Sequence, residues 1–252
     1  MAATELTPAS ALAGKAVSEF RVYDASNARA DGVQEHYRQM RLNQSLKFSR
    51  AQVAQWRASW GSRPGGRMTV KEALLKCDTF VDRSDPDTSL PNSLHMLQAA
   101  EASRLAGKPD WMVLCALVHD VGKLMYLWGS CADGQGGKAD DPQWSLGGDT
   151  WVVGAPLPSV MVHPHLNELN VDAHDPVINA SPTGIYSPKC GLMNCEFAFG
   201  HDEYAYMWAL HNKVDIPREG LAILRLHSCV CRDLSPSTFW SGRLTAPSLS
   251  VP

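Results

Sequence analysis

One apolar stretch constrains the fold more than any other part of the chain. Residues 114–128 read LCALVHDVGKLMYLW, in which almost every position is apolar. Such a run predicts a helix that enters a hydrophobic core. The same run places His119, Asp120 and Lys123 in that core, where an imidazole, a carboxylate and an ammonium are costly to bury unless each finds a strong partner. The three side chains therefore raise the question of what they bind.

Helical patterns also dominate the rest of the chain, and no segment shows a convincing strand alternation. Residues 31–60 predict one long helix or a broken one, and Thr69 with Glu72 forms a capping box that opens the next. Cap residues at 91–93 open a helix that stops at Gly107, and we expect Asp110 to cap the helix that carries the apolar stretch. Two further helices are expected within 195–213 and 217–228, whereas 129–141 and 156–188 predict irregular backbone. We expect an all-α fold.

The overall composition excludes several classes of protein. The 252 residues are 44% hydrophobic and 19% charged, which argues against disorder, and the net charge of −3 gives no sign of a nucleic-acid partner. We expect no run to reach the length of a membrane span. The cysteines in KCGLMNC (Cys190 and Cys195) and CVC (Cys229 and Cys231) do not match zinc-site spacing. With no secretory signal at the start, we expect reduced thiols and a cytoplasmic location.

A metal ion is one economical partner for the buried polar groups. His119 and Asp120 are neighbours about 100° apart on a helix, so both can lean toward one pocket, and Lys123 lies one turn further on. Neutral imidazole nitrogen and carboxylate oxygen bind a metal together. A buried lysine beside a metal keeps its charge only if an anion or a polarised hydroxyl shares the pocket.

Further ligands would have to come from other helices. His95, His201 and His227 are each embedded in an apolar helical pattern, whereas His163, His165 and His174 fall in the irregular stretch. Four imidazoles and one carboxylate exceed the usual ligand set of one ion, but two ions bridged by Asp120 would use them all. The donor set suits iron, manganese or zinc and does not choose among them.

Plainer interpretations stand beside the metal hypothesis. An isolated His-Asp pair occurs often by chance, and a single core histidine most often binds a backbone carbonyl. Asp202 and Glu203 could orient His201, although a solvated helix face is the commoner fate of such a pair. Convergence of four helices on His-Asp chemistry favours the metal hypothesis.

The motifs also carry a family resemblance. HDVGK, with an upstream helical histidine and downstream histidines, resembles the signature of the HD-domain metalloproteins. DRSDPDTSLPNSLHMLQAAE, LVHDVGK, DPQWSLGGDTWVVG, YSPKCGL, GHDEYAYM and LRLHS occur in the same order as in the myo-inositol oxygenase family. The resemblance covers roughly residues 17–228. It implies a single HD-domain-like helical bundle around a dinuclear site, present as a monomer, with two non-haem iron ions. The implied reaction cleaves the ring of myo-inositol with O₂ and gives D-glucuronate.

The resemblance also implies a role for individual residues. His95, His119 and Asp120 would hold the first iron, and Asp120 would bridge to a second iron completed by His201 and His227. Lys123 and Asp120 would be catalytic, with Lys123 holding an inositol oxygen. The positions that match the family's polyol contacts are Arg21, Asp82, Ser84, Lys123, Gly148, Asp149, His227 and Ser228.

Departures from the family pattern concern mainly the C-terminal part. Arg83 stands in a stretch that is often acidic, and the loop at 129–141 is longer than in animal members. The family continues beyond the HS step to a carboxylate ligand of the first iron, and no counterpart follows His227 here, where Asp233 is too close. We expect a flexible N-terminus (1–16), an inositol oxygenase-like domain (17–228), a non-homologous coil-like tail (229–252) and impaired activity. The alternatives are an inactive truncated isoform and an HD-type metal-dependent phosphohydrolase.

Overall fold

The computed structural model describes residues 30–60, 67–85, 91–138 and 140–230. Within these ranges the regular structure is helical, and strand pairing is limited to two isolated bridges, which confirms the all-α prediction. Arg21, the N-terminal 1–16 segment and most of the proposed tail lie outside the described residues. The α-helices are α1 (Ala30–Asn43), α2 (Leu46–Ala58), α3 (Val70–Cys77), α4 (Asn92–Leu105), α5 (Asp110–Val118), α6 (His201–His211) and α7 (Arg218–Leu226).

The long helix expected over 31–60 is broken between α1 and α2. Ser45 leaves the helical conformation and caps α2, because its hydroxyl accepts a hydrogen bond of 3.2 Å from the Phe48 amide. Gln44 is buried at the break and donates to the Trp144 carbonyl. The cap satisfies one of the amides that a helix start leaves open, so the second of the two expected alternatives is correct.

The expected helix caps are only partly confirmed. Thr69 and Glu72 form the predicted capping box at the start of α3. Neither α4 nor α5 has a side-chain cap, so the expectation for Asp110 is wrong: Asp110 lies in the first turn, where its charge favours the helix dipole. The side-chain amide of Asn92 instead points into the protein and donates a hydrogen bond of 2.6 Å to the Cys77 carbonyl. Gly107 follows α4 with φ +64°, as expected of a helix-ending glycine.

The apolar stretch changes helix type in its middle. Helix α5 ends at Val118, and His119–Trp128 continue it as a 3₁₀ helix. Together Asp110–Trp128 form a 19-residue helical stretch that contains an 18-residue window of mean hydropathy 1.2, and by length and composition it would suffice to cross a membrane. The expectation that no run reaches such a length is therefore wrong on those two criteria. Half of the stretch is buried inside the protein and it carries Asp120 and Lys123, as befits a core helix.

The region between Trp128 and α6 is irregular, as predicted for 129–141 and 156–188, and several of its large side chains are buried in the protein. It contains short 3₁₀ helices, among them Pro164–Leu169 and Val171–His174. Trp151 and Phe199 are fully buried in it. Isolated bridges join Val152 to Phe197 and Thr150 to Cys229. These bridges bring the start of the irregular region against the segments that precede α6 and follow α7.

Candidate metal centre

The 3₁₀ helix and α6 meet at a glycine. Gly122 lies so close to α6 that a Cβ atom at this position would be 1.9 Å from the His201 carbonyl oxygen. No side chain fits in that space, so only glycine allows the two backbones to touch. The contact places His119 and Asp120 beside His201, which begins α6.

Asp120 is the centre of the resulting cluster and is buried. Its Oδ2 atom faces one pair of histidines, with His119 Nε2 at 3.4 Å and His95 Nε2 at 3.8 Å. Its Oδ1 atom faces the other pair, with His201 Nε2 at 3.1 Å and His227 Nε2 at 3.5 Å. The five residues therefore form two three-residue groups that could each hold a metal ion and that share Asp120.

Backbone carbonyls fix the tautomer of three of the four rings. The Nδ1 atom donates to a carbonyl in His119 (Ala116, 2.8 Å), in His201 (Leu146, 2.7 Å) and in His227 (Leu224, 3.1 Å). A carbonyl can only accept a hydrogen bond, so the proton of each neutral ring lies on Nδ1. The Nε2 lone pairs then point into the cluster, as in a histidine that binds a metal.

The distances between these lone pairs test whether a cation fits. His201 Nε2 lies 2.9 Å from His227 Nε2, and His119 Nε2 lies 3.1 Å from His95 Nε2. Two lone pairs this close repel each other unless a proton or a cation lies between them. Two nitrogens that each lie about 2.1 Å from one ion, at about a right angle, are about 3.0 Å apart. The donor set and its spacing thus fit one ion in each group.

The electrostatics of the cluster favour an ionised Asp120 and a neutral His119 ring. Burial alone would raise the pKa of Asp120, but Lys123 and His119 lower it well below the usual range of a carboxyl group. Burial lowers the pKa of His119 to about 4, which keeps the ring neutral. Burial would also lower the pKa of His201, but Asp202 and Asp120 outweigh it and raise that pKa. Without a metal ion this ring therefore takes up a proton more readily, and a bound ion would have to displace that proton. The metal-ligand roles themselves stay predictions.

Lys123 is held between two carboxylates next to the cluster. Its Nζ atom donates to Asp120 Oδ2 at 2.9 Å and to Asp82 Oδ2 at 3.0 Å. Burial alone would lower the pKa of Lys123, but these two neighbours raise it above its ordinary value. Burial would raise the pKa of Asp82, yet Lys123 and Ser84 lower it. Lys123 is therefore a buried cation whose charge is secured by its surroundings.

The other described residues that were expected to contact a polyol lie in two places, Asp82 and Ser84 beside Lys123, and Gly148, Asp149 and Ser228 around Thr150. Ser84 donates to Asp82 Oδ1 at 2.6 Å, so both belong to the same hydrogen-bonded group. The Ser228 carbonyl accepts from the Thr150 amide at 2.9 Å, which places Ser228 beside the 147–150 segment. Gly148, with φ +101°, adopts a left-handed conformation there. Asp149 Oδ2 accepts a hydrogen bond of 2.7 Å from the Val162 amide. Their substrate roles stay predictions.

Asp202 and Glu203 do not lie on a solvated face, so that interpretation is wrong. Both are buried. The Thr150 hydroxyl donates its one hydrogen to the Asp202 carboxylate, with Oγ1 2.9 Å from Oδ2 and 3.1 Å from Oδ1, and Asp202 Oδ1 lies 3.7 Å from His201 Nδ1. Glu203 pairs with Arg225, which donates to it from Nε at 2.6 Å. The alternative interpretation, that these carboxylates support His201, fits this arrangement.

Several residues near the cluster had no signal in the sequence. Asn92 accepts a long contact of 3.5 Å from Lys123, and Arg225 lies two positions before His227. Both are ordinary polar residues in helical patterns, and only the fold shows that they are buried. His163, His165 and His174 lie outside the two groups, as predicted.

Comparisons with known proteins agree with the motifs. The family model described as Myo-inositol oxygenase matches residues 30–232. The inositol oxygenase of Mus musculus is 38% identical over 216 residues, which are 85% of this chain and 70% of the relative. That of Sus scrofa is 39% identical over 218 residues, 86% of this chain and 71% of the relative. Inositol oxygenase 4 of Arabidopsis thaliana is 38% identical over 211 residues, 83% of this chain and 62% of the relative. The chain belongs to the myo-inositol oxygenase family of enzymes.

Proposed function

We propose that this chain binds two metal ions and uses O₂ to open the ring of myo-inositol, which gives D-glucuronate. The observation that carries the proposal is the division of the Asp120 carboxylate between His95 and His119 on one oxygen and His201 and His227 on the other. Two ions that share a carboxylate need such a division. The names of the relatives supply the substrate class.

We propose iron as the metal in both groups. Each group consists of two histidines and one carboxylate. This ligand set, with further positions left open, is typical of non-haem ferrous oxygenases. When bound, the two irons would supply the affinity for O₂ and the electron transfers that amino-acid side chains lack. The absence of thiolate ligands from both groups fits iron but would also fit manganese, so the metal must be measured.

We assign Lys123 the role of binding a hydroxyl oxygen of the substrate. An ammonium has three donors, and those of Lys123 point to Asp120, to Asp82 and, over a long 3.5 Å, to Asn92. The weakest of these contacts leaves one donor able to turn toward a hydroxyl oxygen of inositol. That hydrogen bond would hold the hydroxyl oxygen in place and favour loss of its proton, although the two carboxylates offset part of the lysine's charge.

Asp82 and Ser84 supply directed hydrogen bonds for a polyol. Asp82 contacts Lys123 directly, and Ser84 donates to Asp82. Both side chains also approach Gly147, where a Cβ atom would be 2.7 Å from Asp82 Oδ2 and 3.1 Å from Ser84 Oγ. A site with many such groups rejects an analogue that leaves them unpaired. Arg21 would complete this set, but it lies outside the described residues.

A phosphohydrolase is not favoured by the surroundings of the cluster. Phosphate esters need cations that are not already neutralised. Lys123 is matched by two carboxylates, and Arg83 donates to the Asp141 carbonyl at 3.0 Å rather than toward the cluster. The impaired activity expected from the segment after His227, the monomeric state and the cytoplasmic location stay predictions.

One experiment tests the proposal and its alternatives together. Residues 1–252 are loaded with ferrous iron under anaerobic conditions, and bound metal is counted per chain. O₂ uptake and glucuronate are then measured with myo-inositol, and phosphate release is measured with a panel of phosphate esters. Two irons and inositol-dependent glucuronate support the proposal. Iron without turnover supports the inactive isoform, and phosphate release in the absence of glucuronate contradicts the proposed reaction.

A further inference from the structure

Two cysteines meet in the turn that leads into α6. The Sγ atoms of Cys190 and Cys195 lie 3.6 Å apart. Both sulfurs also lie 3.7 Å from the carbonyl oxygen of Gly191. The turn is closed by a short 3₁₀ helix, Leu192–Asn194, after Gly191, whose φ of +88° few other residues adopt. The fold therefore places two thiols, five positions apart in sequence, in direct contact.

The two thiols differ in access to solvent. Cys190 is partly exposed, whereas Cys195 is buried at 8% exposure. Disulfide exchange begins at an accessible sulfur and is completed by a second thiol that can reach it. Cys190 has the first property and Cys195 the second. A disulfide needs the sulfurs to approach to about 2.05 Å, which is about 1.6 Å closer than they lie here.

We propose that Cys190 and Cys195 form a thiol–disulfide exchange site for low-molecular-weight disulfides. The Cys190 thiolate attacks one sulfur of the small disulfide, forms a mixed disulfide and releases one small thiol, which takes up the proton that Cys190 lost. The Cys195 thiolate then attacks the Cys190 sulfur and displaces the second small thiol. The protein loses two electrons and two protons, the reagent gains both, and a small thiol in excess reverses the reaction.

The turn is connected to the metal cluster without being part of it. Arg225 donates to the carbonyls of Met193, at 2.8 Å, and Cys195, at 3.1 Å, and the same guanidinium holds Glu203. None of the proposed metal ligands contributes to the exchange. The inference consequently does not depend on the proposed activity, and its test needs no bound metal and no substrate.

The test uses the full chain and oxidised glutathione as the probe. After reaction and alkylation of remaining thiols, trypsin releases residues 190–213, in which Cys190 and Cys195 are the cysteines. We expect this peptide to lose two hydrogen atoms without carrying glutathione. In Cys195→Ser, Cys190 should keep glutathione at a level at least about tenfold higher, because the second thiol that removes it is gone. In Cys190→Ser, the buried Cys195 should stay reduced.

Three other cysteines serve as controls in the same digest. Cys131 is exposed and should carry glutathione in every variant, which shows that the reagent is active. Cys77 and Cys115 are buried and should stay unmodified, which shows that each variant is folded. Equal glutathione on Cys190 in the unaltered chain and in Cys195→Ser would overturn the proposal. So would a cross-link from Cys190 to any cysteine other than Cys195.

Discussion

Arg225 donates two hydrogen bonds to Glu203, at 2.6 and 3.3 Å, and so joins α7 to α6 inside the protein. Glu203 follows His201 by two residues, and Arg225 precedes His227 by two. The guanidinium also packs over the rings of Phe197 and Tyr206, at 4.9 Å from each ring centre. An ion pair thus joins α6 and α7 two residues away from each of these histidines.

Replacement of Arg225 by Met should loosen this connection. Glu203 would remain as a buried carboxylate without its cation, which costs about 3–5 kcal/mol of stability. Misplacement of the histidines should weaken iron binding in the His201–His227 group by about 10–100-fold. Denaturant unfolding and iron titration measure the two effects.

The matched control for Arg225→Met is the exposed pair of Arg50 and Glu196, which has the same closest distance of 2.6 Å. Arg50→Met should cost at most about 1 kcal/mol and leave iron binding unchanged, because water screens an exposed pair. The double variant Arg225→Met with Glu203→Gln should recover part of the stability without restoring the iron affinity. Equal losses in Arg225→Met and Arg50→Met would contradict the assigned role.

Replacement of Asp120 by Asn should remove both ions together. The amide keeps the shape of the carboxylate but not its charge, and both groups share this one side chain. Bound iron should fall from two per chain to well below one at concentrations that saturate the unaltered protein. Asp78→Asn is the control, because Asp78 accepts from Ser93 and is not in either group. One tightly bound iron in Asp120→Asn would argue against a shared ligand.

The two ions should leave at different rates when a chelator is added. The side chain of His95 is 62% exposed, whereas that of His201 is 5% exposed. Water and chelator reach the first group more easily, so we expect two phases whose rates differ by about tenfold or more. His95→Gln should abolish the fast phase and His227→Gln the slow one. Release of both irons from the unaltered chain in a single phase would rule out this difference in rate.

Replacement of Lys123 by Met should destabilise the metal-free protein more than the iron-loaded one. Without iron, Asp120 and Asp82 would be left as two buried carboxylates with no ammonium between them, a loss of about 3 kcal/mol or more. Bound iron supplies positive charge to Asp120 and should recover part of this loss. Unfolding curves with and without iron measure the difference. An equal loss in both forms would mean that the ion does not contact Asp120.

The sequence was sufficient to predict which residues gather at the cluster. The His-Asp pair stands in an apolar run, where its burial demands partners, and His95, His201 and His227 share that apolar context. The family motifs then assigned each residue a role. The resemblance also implied that Asp120 is shared between two pairs of rings. What the sequence did not reveal is the packing that holds the two pairs together, in which α6 lies against the 3₁₀ helix and Glu203 pairs with Arg225.

Three of the misjudged positions share one physical cause. Asp202 and Glu203 were expected on a solvated face, and Asn92 at a helix cap, because polar residues are usually exposed or local in their bonding. Each is instead buried against a partner distant in sequence, Thr150 for Asp202 and Arg225 for Glu203. No local pattern encodes such pairs. The break at Ser45 is different, since a serine before a helical run is a readable signal.

Gly122 contributes no atom to the metal groups, yet both depend on it. An added methyl group there would press on the carbonyl of His201 and push α6 away from the helix that bears His119 and Asp120. His119 and His201 would then move apart, because His119 lies on the 3₁₀ helix and His201 lies on α6. The site therefore requires a residue without a side chain at position 122, although that residue binds nothing itself.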